Sequence, residues 1–247
     1  MLNLVIDIGN TRSKIAFFDN FKLVRLEVTE KLNIGQLQKY IIEENVSRSI
    51  ISSVNNEVSE MEAILEKHTT YTRFSYKLNT KIKNLYSNPD RLGLDRLAGI
   101  IGAQAMFNNT NCLVIDCGTC ITYDSIDEAG LYCGGSISAG LNMRLKALNA
   151  FTEKLPLIEI DTNFNEWQGA DTRSSILSGV IQGAVSEVLG FIKYYTLRYK
   201  KLQVLLCGGD AKFFDTRLKN SIFANILHTE PNLVLIGLNE VIHQQND

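Results

Sequence analysis

The chain has little of what marks membrane, secreted or nucleic-acid-binding proteins. It has three Pro and three His in 247 residues, and its formal net charge is −2. No apolar run approaches the ~20 residues that a membrane-spanning helix needs. The first residues pass directly into a strand-like run, without the segments of a signal peptide. Because basic and acidic residues are interspersed, we expect neither nucleic acid nor a membrane as a partner.

The five Cys are an odd number in a mid-sized chain without a secretory signal, which favours reduced thiols and a cytoplasmic location. Cys117-x-x-Cys120, with Cys112 and Cys133 nearby, raises a zinc or redox hypothesis. The wider spacing fits no familiar zinc finger. We therefore interpret these residues as small buried apolar thiols.

The phosphate-binding signature GxxxxGK[ST] is absent, and so is a GxGxxG motif that opens a helix. P-loop and Rossmann interpretations are therefore weak. Hydrophobic residues make up 45% of the chain and charged residues 21%, as in ordinary globular proteins. The length is enough for one large or two modest domains.

Two similar successions of elements are predicted, separated by a turn at Asn108-Asn109. The first contains strands at 2–8, 13–19, 21–28, 49–54 and 70–76 and helices at 33–44, 57–68 and 97–107. The second contains strands at 119–126, 131–137, 203–206 and 233–236 and helices at 141–151 and 172–199. Residues 86–96 are predicted as a loop because they are polar and contain Pro and Gly. Strands grouped first and then alternating with helices indicate an α/β protein with two lobes.

The most informative pattern is a strand that ends in an acidic residue, a Gly-Thr turn and a second strand, and it occurs twice. It contains Asp7, Gly9 and Thr11 in the first half and Asp116-x-Gly118-Thr119 in the second. Amide groups at Gly turns can approach an anion closely, whereas a carboxylate repels bare phosphate. The Asp residues are therefore suited to a cation that bridges to phosphate groups. A single turn of this kind is more often a simple hairpin, but the repetition favours a small-molecule kinase.

The two turns, followed by Gly208-Gly209, resemble the phosphate and adenosine signatures of the actin, sugar-kinase and Hsp70 ATPase superfamily. The detailed pattern resembles type III pantothenate kinase over nearly the whole chain. The motifs that carry this resemblance are Asp7-Ile8-Gly9-Asn10-Thr11-Arg12-Ser13-Lys14, Tyr86-x-Asn88-Pro89, Gly93-x-Asp95-Arg96, Asp116-x-Gly118-Thr119, Gly134-Gly135-x-Ile137 and Gly169-x-x-Thr172. One departure is Ala139, where the family usually has Pro.

The resemblance implies an α/β fold of the ribonuclease H-like, actin-like ATPase type. Its two related lobes would span 1–110 and 111–247, each a mixed sheet flanked by helices, with a cleft between them. It implies a cytoplasmic homodimer that phosphorylates pantothenate with ATP to give 4′-phosphopantothenate, the first step of coenzyme A biosynthesis. Mg²⁺ would accompany ATP, and a monovalent cation, K⁺ or NH₄⁺, would be required.

The resemblance also implies a role for each motif residue. Asp95 would be the general base, and Asp116 would bind the monovalent cation. The residues implied to bind ATP are Asp7, Gly9, Asn10, Thr11, Lys14 and Thr119. The residues implied to bind pantothenate are Tyr86, Gly93, Leu94, Asp95, Arg96 and Thr172, the last of these from the partner subunit.

Each role has a structural alternative. Asp95 could be a helix-stabilising acid, and Arg96 and Lys14 could be solvated side chains. Tyr86 could be a core residue, and Thr172 could be a helix N-cap. For the whole chain, the alternatives are a non-catalytic regulatory or accessory protein on the same scaffold, a kinase of another small alcohol, and an exopolyphosphatase-like hydrolase.

Overall fold

The computed structural model describes residues 2–9, 12–53 and 58–245. By compactness the chain divides into two units. Unit 1 contains residues 1–108, 130–133 and 232–247, and unit 2 contains 109–129 and 134–231. The C-terminal residues therefore belong to unit 1. The division of the chain into lobes at residue 110 remains a proposal.

The described residues form eleven strands and seven α-helices. The strands are β1 Leu2–Ile8, β2 Ser13–Asp19, β3 Lys22–Thr29, β4 Val46–Ser53, β5 Thr70–Arg73, β6 Lys83–Asn84, β7 Cys112–Cys117, β8 Cys120–Ile126, β9 Leu131–Ala139, β10 Gln203–Cys207 and β11 Leu227–Thr229. The helices are α1 Ile34–Glu43, α2 Ser59–His68, α3 Leu94–Met106, α4 Leu141–Ala150, α5 Thr172–Arg198, α6 Ala211–Leu218 and α7 Leu233–Gln244. Short 3₁₀ turns lie at Pro89–Arg91 and Ala224–Ile226.

The sheet of unit 1 has the order β3-β2-β1-β4-β5. β1 pairs antiparallel with β2 and parallel with β4, so it is the central strand. Its residues 3–6 are buried, as expected for a strand that is covered on both faces. α1 begins directly after its N-cap residue Asn33, which forms a capping box in which its side chain accepts from the Gln36 N–H.

α3 and α7 pack closely because glycines remove the side chains at their contact. A Cβ on Gly237 would lie 1.9 Å from the Ala98 carbonyl oxygen, and one on Gly102 would lie 2.4 Å from the Leu233 carbonyl oxygen. At these two positions only glycine permits such close approach of the helices. The position of α3 in unit 1 therefore depends on residues from the C-terminal end of the chain.

The sheet strands of unit 2 follow the order β11-β10-β7-β8-β9. β7 pairs parallel with β10 and antiparallel with β8. The first residues of β9 belong to unit 1, where they pair in parallel with β6. The carboxyl ends of β7 and β10 meet at the same edge, since Asp116 is in register with Cys207.

α5 is the longest helix and packs against the core of unit 2 through Val180, Ala184, Val188 and Ile192. By length and composition it could cross a membrane, which the sequence analysis did not anticipate. However, 56% of its most apolar stretch is buried within the fold, the pattern of a core helix in a globular unit.

Three parts of the structure differ from the sequence expectations. α3 begins at Leu94 rather than Leu97, so the expected loop ends earlier. Residues 233–236 are helical, although their branched apolar side chains favour a strand, because α7 packs on α3. β6, α6 and β11 were not predicted because each is short.

We predict that Gly237→Ala destabilises unit 1 by at least ~1–3 kcal/mol, because the new methyl group would overlap the backbone of α3. The matched control is Gly183→Ala in α5, where a Cβ meets no atom within 4 Å. In that helix, Ala should be neutral or stabilising by up to ~1 kcal/mol. Urea unfolding followed by circular dichroism measures both changes. Equal midpoints for the two variants would show that the close helix contact is not needed.

Candidate active site

The first Gly turn joins β1 to β2 in unit 1. Its Gly9 N–H donates to the Arg12 carbonyl oxygen (3.1 Å). Asp7 and Lys14 are directly opposite each other in the antiparallel pair, so both side chains lie on the same face of the sheet. Both are partly buried, which places Lys14 between a solvated and a core position. The predicted ATP ligands Asn10 and Thr11 lie outside the described residues.

Tyr86 and Arg96 lie against each other in unit 1. The guanidinium carbon of Arg96 is 5.7 Å from the centroid of the Tyr86 ring, a distance typical of a cation–π contact. The Tyr86 ring is also nearly parallel to that of Tyr132, with centroids 6.5 Å apart. Arg96 is only 9% exposed, so it is not a solvated surface residue. Tyr86 is partly buried and its N–H donates to the Asn84 side chain (2.9 Å), so it is not a fully buried core residue.

Asp95 lies in the first turn of α3, and not in a loop before the helix as the sequence analysis expected. Its side chain is exposed, and its Oδ1 accepts from the Arg96 N–H (2.8 Å). A Cβ on the preceding Gly93 would lie 2.5 Å from that Oδ1. The partly buried Leu94 is the first helical residue between them. The carboxylate is therefore oriented by the backbone of the first helical turn, and it remains open to solvent.

The second Gly turn joins β7 to β8 in unit 2. The Gly118 N–H donates to the Cys120 carbonyl oxygen (2.9 Å), and the exposed Thr119 accepts through its own carbonyl from the Gly140 N–H (3.1 Å). A Cβ on Gly140 would lie 2.2 Å from the Gly118 carbonyl oxygen. The N-cap of α4 therefore packs directly against this turn and binds its backbone.

Gly208 brings a second segment against Asp116. Its φ is +87°, and a Cβ there would lie 2.3 Å from Asp116 Oδ1 and 2.6 Å from the Cys117 carbonyl oxygen. The Asp210 N–H also donates to that carbonyl (2.8 Å). The Gly-Gly segment thus lies against the Asp116 turn, at the edge where β7 and β10 both end.

Asp210 is an acidic residue of this edge to which sequence reasoning assigned no role. Burial raises the pKa of its carboxyl group, and burial raises the pKa of Cys117 as well, with a further contribution from the charges of Asp116 and Asp210. The charges of Asp116 and Asp210 thus both act on the Cys117 thiol. The signal in the sequence was an Asp after Gly-Gly at the end of a buried strand, but only the parallel register of β10 with β7 brings it beside Asp116.

Cys112 and Cys117 are buried as expected, but Cys120 is only partly buried and Cys133 is exposed, so the interpretation as buried thiols is wrong for these two. The buried cysteines are poor nucleophiles. Burial raises the pKa of Cys112 to about 12, and Cys117 and Cys207 are also buried in the sheet. A thiol with such a raised pKa stays protonated at neutral pH, and the protonated form neither attacks nor binds metal well.

Thr172 is the first residue of α5 and is exposed. The N-cap is Asp171, which forms a capping box with Ser174, so the N-cap interpretation of Thr172 is wrong. Gly169 lies directly against this first turn, since a Cβ there would be 2.1 Å from the Ser175 nitrogen. Thr172 therefore lies in a first helical turn that is fixed by the capping box and by close packing of Gly169.

The described motif residues thus form separate groups within each unit. Unit 1 holds Asp7, Gly9 and Lys14 at one turn and Tyr86 and Gly93 to Arg96 around the start of α3. Unit 2 holds Asp116, Gly118, Thr119 and Asp210 at one sheet edge and Thr172 at the start of α5.

We predict that Gly208→Ala destabilises the Asp116 edge by at least ~1–2 kcal/mol, because a Cβ is unfavourable at this positive φ and overlaps Asp116. Gly209→Ala is the matched control, since a Cβ there meets no atom within 4 Å. Thermal unfolding should show a lowered midpoint for the first variant and little change for the second. An unchanged midpoint for Gly208→Ala would contradict the tight approach.

Several known proteins are similar to this chain in sequence or in fold. Residues 3–194 match the family model described as type III pantothenate kinase. The type III pantothenate kinase of Christiangramia forsetii is 40% identical over 98% of both chains. That of Bacteroides fragilis is 37% identical over 99% of both chains.

The fold is also similar to that of a glucokinase from an Antarctic psychrotroph, with a TM-score of 0.56, 13% identity and coverage of 98% of this chain and 99% of that chain. At this identity the likeness shows the fold alone, and it confirms the predicted α/β fold of the actin-like ATPase and sugar-kinase type. The family match and the near full-length relatives show more: the chain belongs to the type III pantothenate kinase family.

Proposed function

We propose that this protein transfers the terminal phosphoryl group of ATP to the primary hydroxyl of pantothenate. The product is 4′-phosphopantothenate, and the reaction is the first step of coenzyme A biosynthesis. Family membership carries this proposal, because relatives named type III pantothenate kinase match nearly the whole chain at 34–40% identity. The motif residues that the structure describes lie on strands, at helix starts or in tight turns, which supports the same conclusion.

Asp95 is the proposed general base. Its exposed carboxylate has one oxygen held by the Arg96 N–H, so the other oxygen can accept the proton of the pantothenate hydroxyl. Arg96 lies against Tyr86 and is nearly buried, which gives its planar guanidinium a defined direction. Such a group suits an oxyanion, here the pantothenate carboxylate or the transferring phosphoryl group. Tyr86, Gly93 and Leu94 complete the pantothenate contacts that we propose for unit 1.

The two Gly turns are the proposed ATP sites. Asp7, Gly9, Asn10, Thr11 and Lys14 supply the first, and Thr119 supplies the second. Backbone N–H groups of such turns stabilise phosphate oxygens, and the charge on these oxygens is what a phosphoryl-transfer enzyme must balance. Gly208 and Gly209 leave an edge without side chains beside the second turn, where a flat nucleotide ring can approach the backbone.

The residues at the Asp116 edge fit a cation. The carboxylate of Asp116 ends a strand beside Asp210, and carboxylate and carbonyl oxygens are the ligands that hard cations prefer. We propose that Asp116 binds the monovalent cation, K⁺ or NH₄⁺, and that Mg²⁺ accompanies ATP. Bound there, these ions would offset the negative charge of the phosphates.

We further propose a cytoplasmic homodimer with no nucleic-acid or membrane partner. The net charge is −2, with basic and acidic residues interspersed along the chain, and more than half of the apolar stretch of α5 is buried within the fold. Thr172 is exposed at the start of α5, where it is available to a second subunit, and it is proposed to contact the pantothenate bound there.

A non-catalytic regulatory protein on this scaffold is the alternative from another class. The fold is also similar to that of a conserved Baf-family protein from Campylobacter jejuni described as a candidate transcriptional activator, with a TM-score of 0.61 and 19% identity over 98% of both chains. That likeness shows the fold alone. The near full-length relatives of this chain have kinase names, which favours the enzyme.

The direct test is phosphoryl transfer from ATP to pantothenate, with and without K⁺. Asp95→Asn should reduce kcat by ~10²- to 10⁴-fold, because the amide cannot accept the proton. Asp90→Asn is the matched control, since Asp90 is an exposed acid of the same segment. Full activity of Asp95→Asn would exclude Asp95 as the base. ATP binding without any turnover of pantothenate would favour the regulatory protein, and phosphate release without an acceptor would favour a hydrolase.

The dimeric site has its own test, in which Asp95→Asn and Thr172→Val chains carry different tags and are purified as a heterodimer. If Thr172 acts on the partner's site, the heterodimer contains one intact site, and its activity should be about half that of the parent dimer. If both residues act within one chain, neither site is intact. The activity then stays at about half that of the Thr172→Val homodimer.

A further inference from the structure

An arginine–carboxylate pair, Arg144 and Glu187, lies beside the segment that supports the Gly118–Thr119 turn, and neither residue belongs to the motifs that carry the family resemblance. Arg144 of α4 donates from Nη2 to Glu187 Oε2 (2.7 Å) and to Ser138 Oγ (2.9 Å). Its Nε donates to the Ala139 carbonyl oxygen (2.8 Å). The planar guanidinium can hold these three acceptors in one fixed geometry. A Pro at position 139 would keep the same carbonyl, so the departure from the family pattern leaves this bond intact.

Glu187 is itself fixed from the opposite side. The hydroxyl of the fully buried Tyr123 donates to Glu187 Oε1 (2.8 Å), and the Tyr123 ring stacks on Phe191 with centroids 3.8 Å apart. Burial by itself would raise the pKa of Glu187, but hydrogen bonds from Arg144 and Tyr123 bring it below its ordinary value. Glu187 is therefore ionised at neutral pH, and the pair with Arg144 is a charged one.

The pair reaches the turn through Gly140. The side chain of Arg144 holds the carbonyl before Gly140, and the backbone N–H of Arg144 donates to the Gly140 carbonyl (3.0 Å). The Gly140 N–H in turn donates to the Thr119 carbonyl (3.1 Å). Arg144 therefore donates to the carbonyl oxygens of both peptide groups that flank Gly140, and the Gly140 N–H donates to the turn.

Stability alone does not require such an arrangement. A partly buried ion pair often contributes less to folding than apolar side chains of the same volume. Here every hydrogen bond of the Arg144 side chain ends on Glu187 or on the backbone and side chain of residues 138 and 139. Because these partners lie in the segment before Gly140, we infer that the pair fixes the position of residues 138–140, which support the turn.

We propose that Arg144 and Glu187 are positioning residues for ATP, acting through Gly140 on the Gly118–Thr119 turn. They need not contact a reacting atom. The proposal rests on the proposed function in one respect, namely that this turn binds the phosphates of ATP.

The test is calorimetric titration of the full-length protein with ATP and Mg²⁺, together with steady-state kinetics. Arg144→Gln should weaken ATP binding about tenfold and raise the KM for ATP by a similar factor, while the KM for pantothenate changes by less than about twofold. Arg144→Lys keeps the charge opposite Glu187 but not the fork, so it should recover part of the affinity. Glu187→Gln keeps an acceptor for Tyr123 and should have an intermediate effect.

The matched control is Arg217→Gln in the same unit. Arg217 also binds backbone carbonyls, those of Thr162 and Phe164, and among the described residues its side-chain contacts are with these and with Phe213, away from the turn. Its loss should leave the affinity for ATP unchanged even if the unfolding temperature falls. A variant that loses stability without losing ATP affinity would have only a structural role.

Parental ATP affinity in folded Arg144→Gln would overturn the proposal, and so would equal losses for ATP and pantothenate. If Arg144→Gln fails to fold, the ATP affinities of Arg144→Lys and Glu187→Gln provide the test. Parental affinity in both variants would then overturn the proposal. The titration needs no acceptor. A parent that binds ATP but leaves pantothenate unchanged would therefore disprove the proposed function and still leave the positioning effect measurable.

Discussion

The candidate site of unit 2 depends on glycines that pack more closely against their neighbours than a residue with a Cβ could. Gly140 lies against the carbonyls of the Gly118–Thr119 turn, and Gly208, at positive φ, lies against the carboxylate of Asp116. The segment at Gly140 therefore packs against the turn itself, and the segment at Gly208 packs against the end of the strand that precedes it. Because backbone atoms are less free to move than side chains, this arrangement sets the position of the turn before any ligand binds.

Close packing at glycines also occurs in unit 1, between α3 and α7. Gly102 and Gly237 let α3 and α7 touch through their backbones, and the first turn of α3 carries Asp95 and Arg96. A helix that is held along its length presents its first turn at a defined place. The proposed catalytic group therefore depends on packing contributed by the C-terminal end of the chain.

Neighbouring residues of this first turn have opposite environments. Asp95 is exposed, which keeps a proton acceptor accessible to a substrate, whereas Arg96 is nearly buried beside Tyr86. A charged side chain loses hydration when it is buried, so it requires defined partners and has a restricted direction. An accessible base next to an oriented cation is the pairing expected where an alcohol is deprotonated and an anion is bound.

The sequence by itself determined the fold class, the family and most element boundaries. These depend on local patterns: runs of apolar residues in β1 and β2, helical spacing of apolar residues in α1, and acidic residues followed by Gly-Thr turns. Such signals lie within a few residues of one another and need no knowledge of distant contacts. The motif residues could be named for the same reason.

Only the tertiary structure decided which residues meet. Residues 233–236 are helical because they pack on α3, against the strand preference of their side chains. Asp210 lies beside Asp116 because β10 joins β7 in parallel, and Arg144 acts on the Thr119 turn through Gly140 and a partner on α5. These contacts join residues that are far apart in the chain, so their energies cannot be inferred from local propensity.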